Sequence, residues 1–441
     1  MKTNLSENRR TQATHSKTAV VLAGGGLTGL VYEIGALRAV NDLLVDLSVN
    51  DFDVYVGTSA GALVSAGLAN GVRPETMMQA LAGSIPAIAP VMRRDIMRFN
   101  TGEIVRRSLG LPQMLVRAWS HYWRNSKDMT LFDVLWFMLE GLPSAFYDSQ
   151  ALADYVAQLL TALGGSNDFA QLKKDLFLIA TNLENGERAV FSRYEQAQTP
   201  ISQAVAASSA LPMMYKPILV DGVEYVDGGL RGNASLDVAI EQGAKLVLCI
   251  NPMVPYDNSR EAFIPFLGPD KGDDPQRQHL SEKGLQAVAN QVFRTFTHAG
   301  LHYHIKQLRR SHPDVDIILI EPRPDDYQMQ FYNIMRFSAR LIIAQHGYES
   351  VTLELAKDYE AYKEILARHG IQMSRRFVIE ELAAIQEAKG DLRVVREVLE
   401  KRPLSNPIDV NPDEPAAKRL DRALDDLGQA LAHLEEQVGV E

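Results

Sequence analysis

The chain has 441 residues and a formal net charge of −10, from 45 Lys and Arg against 55 Asp and Glu. The acidic balance argues against a nucleic-acid-binding protein, and 46% hydrophobic with 23% charged residues exclude wholesale disorder and fibrous repeats. A single cysteine, Cys249, excludes an intramolecular disulfide and a cysteine-based zinc site. Since no run reaches the roughly 18 apolar residues of a membrane span, we predict a cytoplasmic protein and leave peripheral membrane contact open.

Strands and helices alternate along the first part of the chain. Residues 1–16 are polar and lack periodicity, which predicts a mobile tail. An apolar run at 18–23 ends in glycines before helical spacing over 31–44, and a strand at 51–56 precedes a helix at 60–69. Further strands are predicted at 176–180, 189–191, 246–250 and 315–320. Two successive strand-helix units predict an α/β fold with a mostly parallel sheet.

The rest of the chain divides into helical segments. All three tryptophans lie between about 85 and 150, where we predict a helical insertion that serves as buried core or as a lipid-facing lid. We assign the main domain to 17–330, a helical extension to 331–402, and a proline-rich linker with an amphipathic helix to 403–441. The heptad positions of that last helix fit a homo-oligomer contact and docking on the chain's own domain equally well.

A glycine-rich loop, Gly24-Gly-Gly-Leu-Thr-Gly29, follows the first predicted strand. Glycines at a helix start let the backbone approach a ligand and aim free N–H groups at negative charge. A dinucleotide site would also need an acidic residue about 20 positions later, at the end of a second strand. Asp46 is near that distance, but residues 40–47 look like a helix end. A P-loop is excluded because no Gly-Lys-Ser/Thr follows.

A second motif, Gly57-Thr-Ser-Ala-Gly61, lies between a predicted strand and a predicted helix. Small residues two positions on either side of a serine allow the sharp turn that presents its hydroxyl at the carboxyl edge of a sheet. The context favours Ser59 as a nucleophile over a serine that merely caps a helix.

An ordinary α/β hydrolase would supply a histidine as the base for that serine. His298, His302 and His304 cluster on a predicted helix, and two of them lie one turn apart. With no HExxH pattern and no nearby acidic partner expected, we interpret them as a helix surface and predict neither a metal site nor an organic cofactor.

A third motif, Tyr225-Val-Asp-Gly-Gly229, places Asp227 at the end of a short apolar stretch. The order of glycine loop, GxSxG and Asp-Gly-Gly resembles the patatin-like phospholipase family, as do the segments 207–212 and 216–222. The resemblance covers about residues 18–255 and implies a three-layer α/β/α sandwich, here with a helical insertion and a helical C-terminal extension.

The resemblance also implies the site and the reaction. Ser59 would be the nucleophile and Asp227 the general base of a Ser-Asp dyad, with the N–H groups of Gly25 and Gly26 as oxyanion donors. The remaining motif glycines are Gly24, Gly29, Gly57, Gly61, Gly228 and Gly229. The expected activity is hydrolysis of a lipid carboxylic ester through an acyl-serine, and the expected partner is an acyl lipid.

This chain departs from the family pattern at two places, and other functions stay open. Many relatives carry Arg or Lys where this chain has Thr28, and a proline where it reads Asn233-Ala-Ser235, so the lipid class is undetermined. Alternatives are acyl transfer to an alcohol on the same dyad, a nucleotide-binding oxidoreductase, and a non-catalytic scaffold that acts through the C-terminal heptads.

Overall fold

The computed structural model describes residues 16–85, 96–124, 141–257, 279–326, 329, 337–388 and 390–401. The strands are β1 Thr18–Leu22, β2 Leu44–Val45, β3 Val54–Thr58, β4 Ala145–Tyr147, β5 Asp175–Asn182, β6 Arg188–Phe191, β7 Met213–Tyr215, β8 Ile218–Val220, β9 Val223–Asp227, β10 Leu246–Ile250, β11 Asp316–Ile320 and β12 Gln372–Met373. The helices are α1 Gly26–Leu43, α2 Ala60–Ala69, α3 Pro74–Ala82, α4 Thr101–Arg124, α5 Ser149–Ala162, α6 Ile201–Ser208, α7 Leu236–Glu241, α8 Leu285–Ser311, α9 Phe337–Lys357, α10 Tyr359–Arg368, α11 Arg376–Glu387 and α12 Leu392–Glu400.

An eight-stranded sheet forms the centre of the fold. Its order is β11-β10-β1-β3-β5-β9-β8, with β6 also paired to β5. The five strands from β11 to β5 run parallel, whereas β9 and β6 are antiparallel to β5. The predicted α/β class with a mostly parallel sheet is therefore confirmed.

Helices cover both faces of the sheet. Alternate residues of β1 point to opposite sides: Val20 and Leu22 pack with α1 and α2, while Ala19 and Val21 pack with α7 and α8. Because both faces are covered, β1, β3 and β10 are buried along their whole length. The predicted three-layer α/β/α arrangement is what the structure has.

The helical C-terminal segment packs directly on the first helix. A Cβ atom on Gly35 of α1 would lie 1.9 Å from the carbonyl oxygen of Ala344, and one on Gly347 would lie 2.2 Å from that of Tyr32. These glycines let the backbones of α1 and α9 approach closely. Residues of α9 consequently share a hydrophobic cluster with α1 and the sheet.

Two local predictions near β3 are wrong in detail. The strand predicted at 51–56 starts at Val54, because Ser48 and Asp51 form a capping box around a 3-10 turn over Val49–Asp51. The helix end predicted at 40–47 stops at Leu43, since the next two residues form β2 against β12. Neither shift moves the serine motif.

Several predictions concern residues outside the described ranges. These are the mobile tail apart from Ser16, residues 86–95 and 125–140 of the insertion, and the linker with the C-terminal heptads at 403–441. Within the insertion, α4 is a helix of 24 residues with outward-facing apolar side chains, among them Leu109 and Trp123. Of the helices that the structure describes, none combines the length and apolar character needed to cross a membrane.

Candidate active site

Ser59 occupies a strained turn between β3 and α2. Its backbone has φ 53° and ψ −116°, a positive-φ conformation that a residue with a Cβ adopts only under constraint. A Cβ on Gly57 would lie 2.5 Å from the carbonyl oxygen of Gly61, and one on Gly61 would lie 2.4 Å from that of Leu22. The GxSxG spacing is therefore the sequence that this turn requires.

The serine hydroxyl is directed at a carboxylate. Ser59 Oγ donates to Asp227 Oδ2 at 2.6 Å, and the N–H of Gly229 donates to Asp227 Oδ1 at 2.8 Å. Ser59 and Asp227 are only 8% and 5% exposed. The Ser59 side chain makes no capping bond to α2, which removes the interpretation of this serine as a simple helix cap.

Strand register brings these two residues together across 168 positions of sequence. Thr58 at the end of β3 pairs with Ile179 of β5, and the next residue of β5, Ala180, pairs with Asp227 of β9. Asp227 therefore lies one strand beyond β5 at nearly the same level of the sheet as Ser59. A Cβ on Gly228 would lie 2.3 Å from the carbonyl oxygen of Ile179, so the chain needs a glycine to turn there.

Three hydroxyl groups hold the backbone of the dyad. The N–H of Ser59 donates to Ser208 Oγ at 2.8 Å, and Ser209 Oγ donates to the carbonyl of Ser59 at 3.1 Å. Thr181 Oγ1 donates to the carbonyl of Asp227 at 3.0 Å. Segment 207–212 was noticed in the sequence, but its pairing with the serine turn could not be derived there.

The environment of Asp227 suits a base. Burial raises the pKa of Asp227 from 3.8 to about 6, although the hydrogen bonds from Ser59 and Gly229 lower it. Such a carboxyl is ionised at neutral pH, yet it accepts a proton more readily than an exposed aspartate. No Lys or Arg of the described residues forms an ion pair with it.

The glycine loop runs beside Ser59. A Cβ on Gly24 would lie 3.3 Å from the Cβ of Ser59, so the backbone passes the hydroxyl closely. The N–H of Gly24 is already used, because it donates to Asn233. The N–H groups of Gly25 and Gly26, at the start of α1, have no acceptor in the part of the chain that the structure describes.

A buried amide pair positions this loop. Asn233 Oδ1 accepts from the N–H of Gly24 at 3.1 Å, and Asn233 Nδ2 donates to Asn251 Oδ1 at 2.9 Å. Pro252, next in sequence, would collide with a Cβ on Gly25 or Gly29, at 2.5 and 2.9 Å. The sequence marked position 233 as a departure from the family pattern, but this positioning role was missed.

The dinucleotide interpretation finds no support in the geometry. Asp46 is exposed and follows β2, which pairs with β12 and takes no part in the central sheet. The neighbours of β1 are β3 and β10, so the strand beside the glycine loop carries Ser59 and no ribose-binding carboxylate.

The expectation that the histidines lack an acidic partner is wrong. His298 and His302 of α8 lie 3.5 and 3.0 Å from the carboxylate of Glu321, and His304 lies 3.4 Å from Asp237. Glu321 directly follows β11, so the packing of α8 on the sheet brings it to the histidines although it lies 19 positions after His302. None of the three histidines hydrogen bonds to the dyad in the described structure.

The sequence of the chain matches the model of a known protein family. The model of the patatin-like phospholipase family matches residues 20–240, half of the chain. The chain belongs to the patatin-like phospholipase family. The match contains the glycine loop, the Ser59 turn and Asp227, so the site lies wholly within the family region.

Individual relatives are distant. An uncharacterized protein of Acanthamoeba polyphaga mimivirus is 24% identical over 212 residues, which are 48% of this chain and 57% of the viral protein. The chain thus spans little more than half of that relative's length. Among solved structures, VipD from Legionella pneumophila is 14% identical with a TM-score of 0.35, over 96% of this chain and 87% of VipD. The type III effector ExoU of Pseudomonas aeruginosa is 12% identical with a TM-score of 0.33, over 94% of this chain and 69% of ExoU.

Proposed function

We propose that this chain is a serine acyl hydrolase that cleaves carboxylic esters of acyl lipids, with Ser59 as the nucleophile and Asp227 as the general base. The observation that carries the proposal is the 2.6 Å hydrogen bond from Ser59 Oγ to Asp227 Oδ2, made at a strained strand-to-helix turn. A nucleophile within hydrogen-bond reach of a base is the arrangement that covalent catalysis requires.

The reaction follows from this contact in two halves. Asp227 takes the hydroxyl proton as Ser59 Oγ attacks the ester carbonyl, and then returns the proton to the leaving alcohol. In the second half Asp227 deprotonates a water molecule, whose oxygen attacks the acyl-serine. Asp227 then returns the proton to Ser59 Oγ as the bond to the acyl group breaks and the fatty acid leaves. Because the pKa of Asp227 is raised to about 6, the carboxyl can both take and return a proton near neutral pH.

Backbone donors would stabilise the negative charge that develops on the carbonyl oxygen. The N–H groups of Gly25 and Gly26 are our candidates, since the N–H of Gly24 is already bonded to Asn233. The N–H of Ala60, which follows the nucleophile, is a further candidate that the sequence did not suggest. One such donor commonly contributes about 3 kcal/mol to a transition state.

The proposed lipid substrate rests on family membership and on exposed apolar side chains near the segment that contacts Ser59. The side chains of Met213 and Met214, just beyond the segment that holds Ser59, are exposed. Phe146 on the paired strand β4 is exposed as well. Apolar surface beside a buried hydroxyl suits an acyl chain better than a free sugar or nucleotide. Transfer of the acyl group to an alcohol remains the alternative outcome of the same chemistry.

The test is covalent labelling with a fluorophosphonate probe, followed by peptide mapping, together with fatty-acid release from phosphatidylcholine micelles. We expect one adduct, on Ser59, and its loss with all fatty-acid release in Ser59→Ala. An acyl product on added alcohol in place of free fatty acid would identify a transferase. An adduct on another serine, or unchanged fatty-acid release in Ser59→Ala, would overturn the proposal.

A further inference from the structure

A second polar cluster lies on the far side of the amide pair from the dyad. His298 and His302 occupy successive turns of α8, and Glu321 begins the segment after β11. Their nearest ligand atoms, one from each side chain, all lie within 4.8 Å of one another. The cluster therefore gathers two imidazoles and one carboxylate from two separate elements.

The two distances from histidine nitrogens to the carboxylate are close to those between the ligand atoms of a metal centre. His298 Nε2 lies 3.5 Å from Glu321 Oε1, and His302 Nε2 lies 3.0 Å from Glu321 Oε2. In a tetrahedral zinc site with ligand bonds of about 2.0 Å, the ligand atoms are about 3.3 Å apart. The two imidazole rings, with centroids 4.1 Å apart, already face the same carboxylate. Small side-chain rotations would complete the arrangement.

A hydrogen bond from a buried asparagine orients the carboxylate of Glu321. Asn251 Nδ2 donates to Glu321 Oε1 at 2.7 Å, and Asn251 Oδ1 is itself held by Asn233 Nδ2 and the N–H of Met253. Metal-binding carboxylates in proteins are characteristically hydrogen bonded in this way, because the support fixes the direction of the oxygen atoms. A surface ion pair formed by chance does not need such a support.

Exposure leaves room for an ion and for a water molecule. The side chain of Glu321 is 19% exposed, that of His298 26% and that of His302 47%. The site is thus mostly buried at Glu321 and open to solvent at His302. Three protein ligands with one open position form a donor set that zinc accepts.

We propose that His298, His302 and Glu321 form a binding site for one divalent transition metal ion of the Zn²⁺ class. Two imidazole ligands favour Zn²⁺, Cu²⁺ or Ni²⁺ over Mg²⁺ and Ca²⁺, which prefer oxygen ligands. The proposal does not rest on the hydrolase function, and the ion takes no part in the dyad chemistry, which uses Ser59 and Asp227.

The experiment is a titration of the chelator-treated full chain, purified without a histidine tag. Zn²⁺ binding is followed by calorimetry, and Co²⁺ binding by its visible absorption. His302→Ala removes a half-exposed ligand without opening the core. His312→Ala is the control, because His312 is a half-buried histidine that directly follows α8 and lies away from the cluster.

We expect one Zn²⁺ per chain at micromolar concentration, with affinity at least tenfold weaker in His302→Ala and unchanged in His312→Ala. Co²⁺ should give the absorption of a four- or five-coordinate site in the parent chain and lose it in His302→Ala. Equal affinity in the parent and His302→Ala, or no binding by the folded parent chain, would overturn the proposal. Glu321→Gln, checked by circular dichroism, gives a second removal of a ligand and should weaken binding in the same way.

Discussion

Two buried carboxylate clusters of this chain, one near each end of α1, have different partners. Asp227 shares its oxygen atoms with the Ser59 hydroxyl and the N–H of Gly229. Asp42, on the last turn of α1, instead faces the guanidinium of Arg38, whose side chain is fully buried. The first carboxylate is bound to a hydroxyl whose proton can move, and the second to a permanent cation.

The Arg38 cluster connects the C-terminal helices to the core. Arg38 also pairs with Glu75 of α3 at 3.4 Å and with Glu381 of α11 at 3.1 Å, and it donates to the carbonyl of Lys401 at 2.9 Å. The hydroxyl of Tyr348 lies 2.8 Å from Asp42 and 2.7 Å from Glu381. Burial, and then the neighbouring Asp42, raise the pKa of Glu381, because one guanidinium does not neutralise three carboxylates.

The comparison shows which surroundings allow a buried carboxylate to act as a base. A carboxylate beside a fixed cation has a structural role, and its contribution to stability is lost when the cation is removed. A carboxylate held only by a hydroxyl and a backbone N–H is less stable as an ion and exchanges its proton near neutral pH. Four predictions follow from this difference and from the geometry of the dyad, given from the largest expected effect to the smallest.

Asp227→Asn should reduce ester hydrolysis about a thousandfold, since general-base catalysis contributes about 10²- to 10⁴-fold. The amide keeps the shape of the side chain but cannot accept the serine proton. The measurement is fatty-acid release under saturating substrate. Asp221→Asn, in the exposed turn before β9, is the matched control and should keep the parent rate. A loss of less than tenfold in Asp227→Asn would show that another group is the base.

Arg38→Met should reduce the free energy of unfolding by about 3–5 kcal/mol, because the change leaves buried carboxylates without their cation. Urea denaturation followed by circular dichroism measures the effect. The control is Arg376→Met, whose side chain is 78% exposed and pairs with Glu380 on the surface. That variant should lose under about 1 kcal/mol. Similar losses in both variants would mean that the Arg38 cluster adds no stability of its own.

Asp227→Asn should also stabilise the fold at about pH 8, by about 2–3 kcal/mol, since each pKa unit corresponds to about 1.4 kcal/mol. The folded pKa of Asp227, about 6, lies above its ordinary value of 3.8, so ionisation is less favourable in the folded chain. This penalty is fully present above the folded pKa and disappears below 3.8. Urea denaturation of both proteins should therefore show the difference at about pH 8 and none at about pH 3.5. Lower stability of Asp227→Asn at the higher pH would contradict the assigned shift.

Local sequence predicted the serine turn but could not predict its partner. Strand β3, the glycine spacing around Ser59 and the start of α2 are all determined within a dozen residues. Asp227 lies 168 positions away, and only the pairing of β3, β5 and β9 brings it to the serine. The family resemblance supplied that pairing in advance, whereas periodicity alone did not.

The same limit explains what sequence reasoning missed. The sequence places Glu321 after a predicted strand and the histidines on a predicted helix. The local sequence does not predict that α8 packs against β11. Arg38 likewise lies in a predicted helix, and its partners Glu381 and Lys401 come from elements more than 340 positions later. Long-range packing of this kind is a property of the whole fold.

Asn233→Ala should lower the rate of acyl transfer to Ser59 about tenfold with little change in KM, because it frees the glycine loop without touching substrate. The change removes the side-chain acceptor for the N–H of Gly24 and the donor to Asn251, and it leaves the backbone carbonyl of Asn233 as an acceptor for Gly24 at 3.2 Å. Separate measurement of kcat and KM on a soluble ester distinguishes positioning from binding. A raised KM with unchanged kcat would place Asn233 in substrate binding.

The measurement that tests the central claim most directly is the rate of fluorophosphonate labelling at Ser59 as a function of pH. Because burial raises the pKa of Asp227 to about 6, we expect the rate to fall tenfold for each pH unit below that value, with no such limb in the residual labelling of Asp227→Asn. Circular dichroism across the same range would verify that the fold persists. A rate that is constant between about pH 5 and 8 in the parent chain, or an identical limb in Asp227→Asn, would contradict Asp227 as the base that activates Ser59.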